Sequence, residues 1–207
     1  MTQRLVWNFE FTPTTNFVLS DLENQKEDDL KWEARFFWPE AQIIKLYLLE
    51  PSLLDLATYQ HKQKKDLYYL IPGQNYNIKN RRDELVYKPL VKQGKYSLGF
   101  GAKINLNDSN KALPDKDALK LNLSDTVQLL KHSDEVIVKK DSLIYKFPTH
   151  PNIKLELARI EINSLIYFSL CIEGKSRELV ETLSKQLLGK QPTDNYVGFL
   201  KNIIKKS

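Results

Sequence analysis

The sequence predicts a mainly antiparallel α+β domain, in which a β-barrel or strongly curved sheet is partly covered by helices. Two observations point to this class. Short strand-like runs dominate the chain up to Glu173, and the clearest helical patterns follow at the C-terminus. Many short strands with a helical C-terminus are typical of barrels and curved sheets. We expect residues 1–207 to form one domain, with residues 1–30 as an N-terminal extension that carries the first strand.

Strands are predicted where aromatic, β-branched and alternating residues lie between turn signals. Pro72-Gly73 and Asn163-Ser164 are such turn signals, and Asp141 is interpreted as the turn of a further hairpin. The predicted strands are Arg4–Thr12, Lys31–Trp38, Asp66–Ile71, Asn75–Arg81, Glu84–Leu90, Lys95–Leu106, Glu135–Lys140, Ser142–Phe147, Ile153–Ile162 and Leu165–Glu173.

Helices are fewer. The strongest pattern is Ser176–Leu188, where apolar residues recur at helical spacing and Gly189 follows as a stop. Asp194–Lys205 carries a second apolar stripe. Ser52–Tyr59, with Ser52 as N-cap, and part of Asp115–Lys131 are also expected to be helical.

The chain shows no feature of a secreted or membrane-spanning protein. Its first residues lack a basic head followed by an apolar run, and the longest apolar stretches, such as Leu165–Ile172, are too short to cross a bilayer. Cys171 is the only cysteine, so no internal disulfide can form. We expect a cytoplasmic protein without a membrane partner.

Net charge is +5 and the isoelectric point about 9.0, which favours anionic partners in general. Only seven glycines are present, and the pair Gly99 and Gly101 opens neither a dinucleotide fingerprint nor a Walker sequence. A phosphate group would therefore be bound by side chains. The lysines at 62, 64, 65, 205 and 206 are interpreted as solvated, and the isolated histidines make zinc binding a poor explanation.

Several predicted strands carry charged side chains on one face. Glu33 and Arg35 share a face, as do Lys154 and Glu156, while apolar residues fill the alternate positions. One such strand alone is typical of a solvated surface. Repeated over many strands, the pattern predicts that a barrel too wide to be filled by side chains encloses a wet, charged cavity. The same argument covers Lys79, Arg81, Lys88, Lys139 and Glu173.

Successive segments of the chain resemble the strands of CYTH-like proteins, whose fold is the triphosphate tunnel. The resemblance covers about residues 31–200 and rests on the order of the segments. These are Glu33-Ala34-Arg35-Phe36-Phe37-Trp38, Lys65-Asp66-Leu67-Tyr68-Tyr69-Leu70, Asn77-Ile78-Lys79-Asn80-Arg81, Leu85-Val86-Tyr87-Lys88, Leu155-Glu156-Leu157-Ala158-Arg159-Ile160-Glu161, Tyr167-Phe168-Ser169-Leu170-Cys171-Ile172-Glu173-Gly174 and Asn195-Tyr196-Val197-Gly198-Phe199-Leu200.

The resemblance implies an eight-stranded antiparallel tunnel that binds a triphosphate group with the help of Mg²⁺ or Mn²⁺. It implies that Glu156 and Glu173 are catalytic and that Glu33 joins them in binding the metal. The implied substrate-binding residues are Arg35, Lys79, Arg81, Lys88, Lys139 and Arg159. Simple alternation puts Arg159 on the face opposite Glu156 unless a bulge intervenes, so both placements stay open.

The implied function is binding and hydrolysis of inorganic triphosphate, a nucleoside triphosphate or thiamine triphosphate. One departure opens an alternative: the family begins with Glu-x-Glu-x-Lys, whereas this chain reads Glu33-Ala34-Arg35-Phe36-Phe37. Loss of a carboxylate affects metal-dependent hydrolysis more than anion binding. The alternative is a non-catalytic module that binds a phosphorylated small molecule or another organic anion. Binding of RNA by surface lysines and aromatic residues is the least favoured of the three functions, so a nucleic-acid partner is not expected.

Overall fold

Two β-sheets carry most of the regular structure in the computed structural model, which describes residues 2–13, 17, 19, 22, 24–107 and 128–205. The strands are β1 (Gln3–Val6), β2 (Phe9–Pro13), β3 (Lys31–Pro39), β4 (Ile44–Leu48), β5 (Gln60–Leu70), β6 (Asn77–Arg81), β7 (Glu84–Lys88), β8 (Leu90–Gln93), β9 (Leu98–Phe100), β10 (Ile104–Asn105), β11 (Asp134–Lys146), β12 (Lys154–Ile162) and β13 (Leu165–Gly174). The helices are α1 (Arg177–Leu188) and α2 (Tyr196–Ile204), with short 3₁₀ helices over Pro51–Leu54 and Leu56–Thr58.

The larger sheet is antiparallel and strongly curled. Its strand order is β10-β7-β6-β5-β11-β12-β13-β3-β9-β8. Consecutive strands β7 and β8 lie near opposite ends of this order, yet only Pro89 separates them. Because two residues of chain span at most about 7 Å, the two ends of the sheet must approach each other there. The concave face is thereby turned into a sheltered interior.

The convex face of β3, β12 and β13 is apolar and supports the main core. Leu155 and Leu157 are fully buried there, together with Leu183 of α1 and Phe9 of the smaller sheet. Helix α1 begins after Ser176, whose hydroxyl accepts a hydrogen bond from the Leu179 amide, and it ends at Gly189. The smaller sheet, ordered β1-β2-β4, packs on the same core. Burial on this side leaves the alternate, charged residues to face inward.

One end of the concave face is closed by α2. Val197, Leu200 and Ile203 pack against Val136 and Ile160 of the large sheet in a second apolar cluster. The helix begins after Asn195, whose side-chain oxygen accepts hydrogen bonds from the amides of Val197 and Gly198. Helix α2 therefore fills the apolar part of the interior and leaves the charged part open.

Several predicted elements are confirmed. Strands β12 and β13 form a hairpin around Asn163 and Ser164, both with positive φ, as the favoured two-residue hairpin turn requires. Strand β3 and both C-terminal helices agree with their predicted positions within two residues. The mainly antiparallel α+β class is confirmed as well. No helix in the described ranges is both long enough and apolar enough to cross a bilayer.

Other expectations are wrong. Over the residues that the structure describes, the large sheet has ten strands rather than eight. Asp141 does not form a turn: β11 runs straight through it, and its side chain pairs with His61 on the neighbouring strand. Three predicted segments have other bounds or another structure. Arg4–Thr12 is a hairpin of two strands, and Lys95–Leu106 divides into β9 and β10. Ser52–Tyr59 forms 3₁₀ helices. Most of the predicted helix 115–131, and Lys206, lie outside the described residues.

Candidate anion-binding site

The concave face encloses a cavity of about 280 Å³ whose lining is strongly cationic. Among the described residues, its lining includes eleven basic and five acidic side chains, an excess of six positive charges. The basic residues are Lys31, Arg35, Lys62, Lys64, Lys79, Arg81, Lys88, Lys103, Lys140, Lys146 and Lys154, and the acidic ones are Glu33, Glu84, Glu156, Glu173 and Asp194.

Arg35 is the central buried cation of one wall. It lies on β3, and its guanidinium is 3.3 Å from a carboxylate oxygen of Glu156 on β12 and 3.9 Å from one of Glu33. The same group lies 5.2 Å from the ring centre of Tyr196, at the start of α2. Arg35 is only 8% exposed, so its charge depends on these partners. Its pKa is raised because the nearby acidic groups outweigh burial.

Glu156 is held as an ionised carboxylate. The Lys140 ammonium donates hydrogen bonds of 2.7 and 2.8 Å to its two oxygens. Burial alone would raise the pKa of Glu156, but Lys140 and Arg35 outweigh burial and hold this pKa well below its ordinary value. A carboxylate of this kind accepts hydrogen bonds and does not supply a proton at neutral pH.

Glu33 and Glu173 lie directly opposite each other on β3 and β13. Glu33 accepts a hydrogen bond from Lys88, and Glu173 lies 2.8 Å from the Lys31 ammonium. Burial opposes the ionisation of Glu33, yet Lys88 and Arg35 lower its pKa to about 2. Both glutamates therefore act as counter-charges to lysines of the same cavity.

Asp66 organises the basic residues of β6. Its carboxylate accepts a 2.9 Å hydrogen bond from Lys79 and a pair of hydrogen bonds from Arg81. Lys79 also donates to the Tyr68 hydroxyl at 3.1 Å. Burial raises the pKa of Asp66, but Arg81 and Lys79 reverse this effect and leave it lowered. One buried carboxylate thus fixes the geometry of two cations at the cavity wall.

Five lysines of the lining make no ion pair with any described residue: Lys62, Lys64, Lys103, Lys146 and Lys154. Lys146 on β11 lies directly opposite Lys154 on β12, and Lys64 on β5 lies opposite Lys140. Directly opposed like charges destabilise a sheet. Burial and the charge of Lys140 lower the pKa of Lys64 to about 8. Among the described residues these lysines are the part of the site without an ion pair, although Lys154 also lies opposite Glu173 on β13.

The structure brings seven of the nine predicted site residues to this cavity: Glu33, Arg35, Lys79, Arg81, Lys88, Glu156 and Glu173. Lys139 is a correction, and the open placement of Arg159 is decided, since both residues lie on the outer face of the sheet. Strand β12 pairs with both neighbours without a bulge, so Arg159 and Glu156 stay on opposite faces. Lys139 is exposed and pairs with Glu161 at 2.8 Å, also outside the cavity.

The donor set does not fit a divalent cation. Glu33, Glu156 and Glu173 each have at least one ammonium or guanidinium partner, and a cation would have to displace it. Over the described ranges, no group of three or more His, Cys, Asp or Glu side chains could hold a metal ion. The three glutamates that were expected to bind the metal are therefore engaged by cations of the protein.

Sequence reasoning missed the lysines that lack a partner. Lys62 and Lys64 line the cavity, whereas they were expected to be solvated with Lys65, which does face outward. The sequence does contain a signal for this placement. Lys62 and Lys64 precede Asp66 at two-residue spacing, so they extend the alternation of the strand that the sequence predicts to begin at Asp66. Lys140 and Lys146 were missed because Asp141 was interpreted as a turn, which concealed the continuous alternation of β11.

No protein-family model matches this sequence, and no curated protein matches it at a significant level. Among solved structures, the chain is similar to a protein of Bacillus halodurans that is provisionally assigned as an adenylate cyclase. The two share 11% sequence identity with a TM-score of 0.40, and the alignment covers 83% of this chain and 98% of that protein.

Proposed function

We propose that the chain binds a small molecule rich in phosphate groups inside the cationic cavity. The observation that carries this proposal is the set of five lysines that line one concave cavity and have no ion-pair partner among the described residues. Clustered like charges in a partly desolvated site are unfavourable unless an anion compensates them. A polyphosphate chain supplies several negative charges over a short length, which matches several ammonium groups around one cavity.

The paired residues and the unpaired lysines have different roles in this proposal. Arg35, Lys79, Arg81 and Lys88 are already oriented by buried carboxylates, so they form a fixed frame around the ligand. The unpaired lysines neutralise the remaining ligand charge as point charges. Because the frame is positioned before binding, little additional ordering is needed there when the anion enters.

Calorimetric titration with inorganic tripolyphosphate in EDTA-containing buffer tests this function. We expect saturable binding, weakened at least about tenfold in Lys64→Gln, because one unpaired charge at an effective dielectric constant near 20 contributes more than about 1.4 kcal/mol. Lys65→Gln is the matched control. Lys65 is the next residue of the same strand and also lies opposite a lysine, Lys139, but on the outer face.

Comparison of the two variants distinguishes binding in the cavity from binding to surface charge in general. Equal weakening by Lys64→Gln and Lys65→Gln would mean that the anion binds wherever lysines are dense, and it would refute the cavity as the site. Absence of saturable binding to the unmodified protein, whether the buffer contains EDTA, Mg²⁺ or Mn²⁺, would refute the proposed function itself.

Hydrolysis of a triphosphate, with Glu156 and Glu173 as catalytic residues, stays a prediction from the family resemblance. Three glutamates do face one cavity, but each is engaged by cationic side chains. The assay is phosphate release from tripolyphosphate, nucleoside triphosphates and thiamine triphosphate with Mg²⁺ or Mn²⁺. Turnover that disappears in Glu156→Gln and persists in Glu161→Gln would add catalysis to the binding function.

A further inference from the structure

We propose that the cavity takes up its polyphosphate ligand without a divalent cation, the lysines replacing the metal as the source of positive charge. This inference rests on the proposed function, because it concerns the form in which the same ligand binds. It departs from the metal dependence that the family resemblance implies. Glu33, Glu156 and Glu173 serve as counter-charges of the protein's own cations.

The ion pairs of the three glutamates support this assignment. Glu33 is shared by Lys88 and Arg35, and Glu156 is shared by Lys140 and Arg35. The side chains of these five residues are at most 13% exposed. Glu173, the most exposed of the three glutamates, still has Lys31 at 2.8 Å. A metal that recruited Glu33 and Glu156 would leave buried cations without partners, which is strongly unfavourable.

The charge balance leads to the same conclusion. The lining already carries six more positive than negative charges. A divalent cation would add to this excess, whereas a metal-free polyphosphate would compensate it. Since bound Mg²⁺ also cancels two negative charges of the ligand, the Mg²⁺ complex should be attracted less strongly than the free anion. Divalent cations are therefore expected to compete with the site for the ligand.

The experiment is a calorimetric titration of the full chain with tripolyphosphate in three buffers of equal ionic strength: one with EDTA, one with Mg²⁺ and one with Mn²⁺. We expect saturable binding in EDTA and at least about threefold weaker apparent affinity in either metal. Binding that is detected only when a metal is present would overturn the inference and leave the proposed function standing. Absence of binding in all three buffers would overturn the proposed function, and the inference with it.

A charge-removing variant gives the sharper test, because the two roles of a glutamate predict opposite signs. If Glu173 is a counter-charge, Glu173→Gln frees Lys31 and should tighten tripolyphosphate binding in EDTA by at least about threefold. If Glu173 is a metal ligand, the same change should weaken binding in Mg²⁺ and have no strengthening effect in EDTA. Weaker binding of Glu173→Gln in both buffers would also overturn the inference.

Glu161→Gln is the matched control for this variant. Glu161 likewise pairs with one lysine, Lys139, at 2.8 Å, but on the outer face of the sheet. We expect its affinity for tripolyphosphate to stay within about twofold of the unmodified protein, since surface ion pairs contribute little. A gain equal to that of Glu173→Gln would assign the effect to net charge alone and would overturn the placement of Glu173 as a counter-charge within the site.

Discussion

At the scale of single residues, the site is defined by an imbalance between paired and unpaired lysines. Lys79 and Lys88 have carboxylate partners, whereas Lys146 and Lys154 lie opposite each other and neither makes an ion pair with a described residue. Such an arrangement lowers the stability of the free protein and favours an anion that bridges the two ammonium groups. Stability and binding should therefore respond in opposite directions when one of these lysines is neutralised.

Lys146→Gln should make the ligand-free protein more stable and a weaker binder. Removal of the like-charge contact with Lys154 is expected to add about 0.2–1 kcal/mol to the free energy of unfolding. Urea unfolding with and without tripolyphosphate measures both effects. Lys92→Gln serves as the control, because Lys92 lies opposite Gly99 rather than a lysine. A loss of stability in Lys146→Gln would show that the opposed lysines do not repel each other.

The lowered pKa of Lys64 predicts that both stability and anion binding depend on pH. Burial and Lys140 lower the pKa of Lys64 from 10.5 to about 8 in the folded protein. Because the unfolded chain keeps this proton up to the ordinary pKa, the Lys64 contribution to stability rises as the pH increases from about 8 to about 10.5. Anion binding should follow the opposite course and weaken as the pH rises through about 8, where Lys64 loses its charge.

Calorimetry at pH 7 and pH 9 checks this prediction. Tripolyphosphate affinity should be higher at pH 7, and the difference should shrink in Lys64→Gln, which has no proton to lose. An unchanged pH dependence in Lys64→Gln would assign the effect to another group.

At the scale of elements, helix α2 limits the charged cavity at its apolar end. Leu200 is fully buried against the concave face of the sheet, and Tyr196 at the start of the helix stacks on Tyr68 at 5.2 Å. Phe199 stacks on Phe37 of β3 at 3.7 Å. The helix thus covers the apolar part of the concave face and borders the cationic cavity.

Leu200→Ala should cost about 2–5 kcal/mol of unfolding free energy, because it leaves a void between α2 and the sheet. Asn202→Ala, on the exposed side of the same helix, should stay within about 0.5 kcal/mol of the unmodified protein. Chemical denaturation measures both values. Equal stability of the two variants would contradict the docking of α2 on the concave face.

The elements also show how far the sequence predicts the structure. The β12–β13 hairpin and both helices were predicted because their signals are local: a two-residue turn, an N-cap and a period of 3.6. Strand β4 was not predicted, since it is held by parallel pairing with the distant β2. The face of Lys139 was wrong and that of Arg159 stayed open, because alternation shows which residues share a face but does not show which face lines the cavity.

At the scale of the whole molecule, one curled sheet separates two environments. Part of its convex face is buried under α1 and the smaller sheet, and its concave face holds an apolar end and a cationic cavity. The net charge of +5 is therefore not spread evenly, since the cavity alone has an excess of six positive charges among the described residues. A concentrated field of this kind attracts small polyanions and accelerates their association.

A crystal structure of the protein soaked with tripolyphosphate in EDTA tests the central claim most directly. The account predicts a phosphate chain inside the curled sheet, within hydrogen-bond distance of Lys64 and of at least one of Lys146 and Lys154, with no metal between them. Tripolyphosphate on the outer face beside Lys65, Lys139 and Arg159, with only water in the cavity, would contradict it.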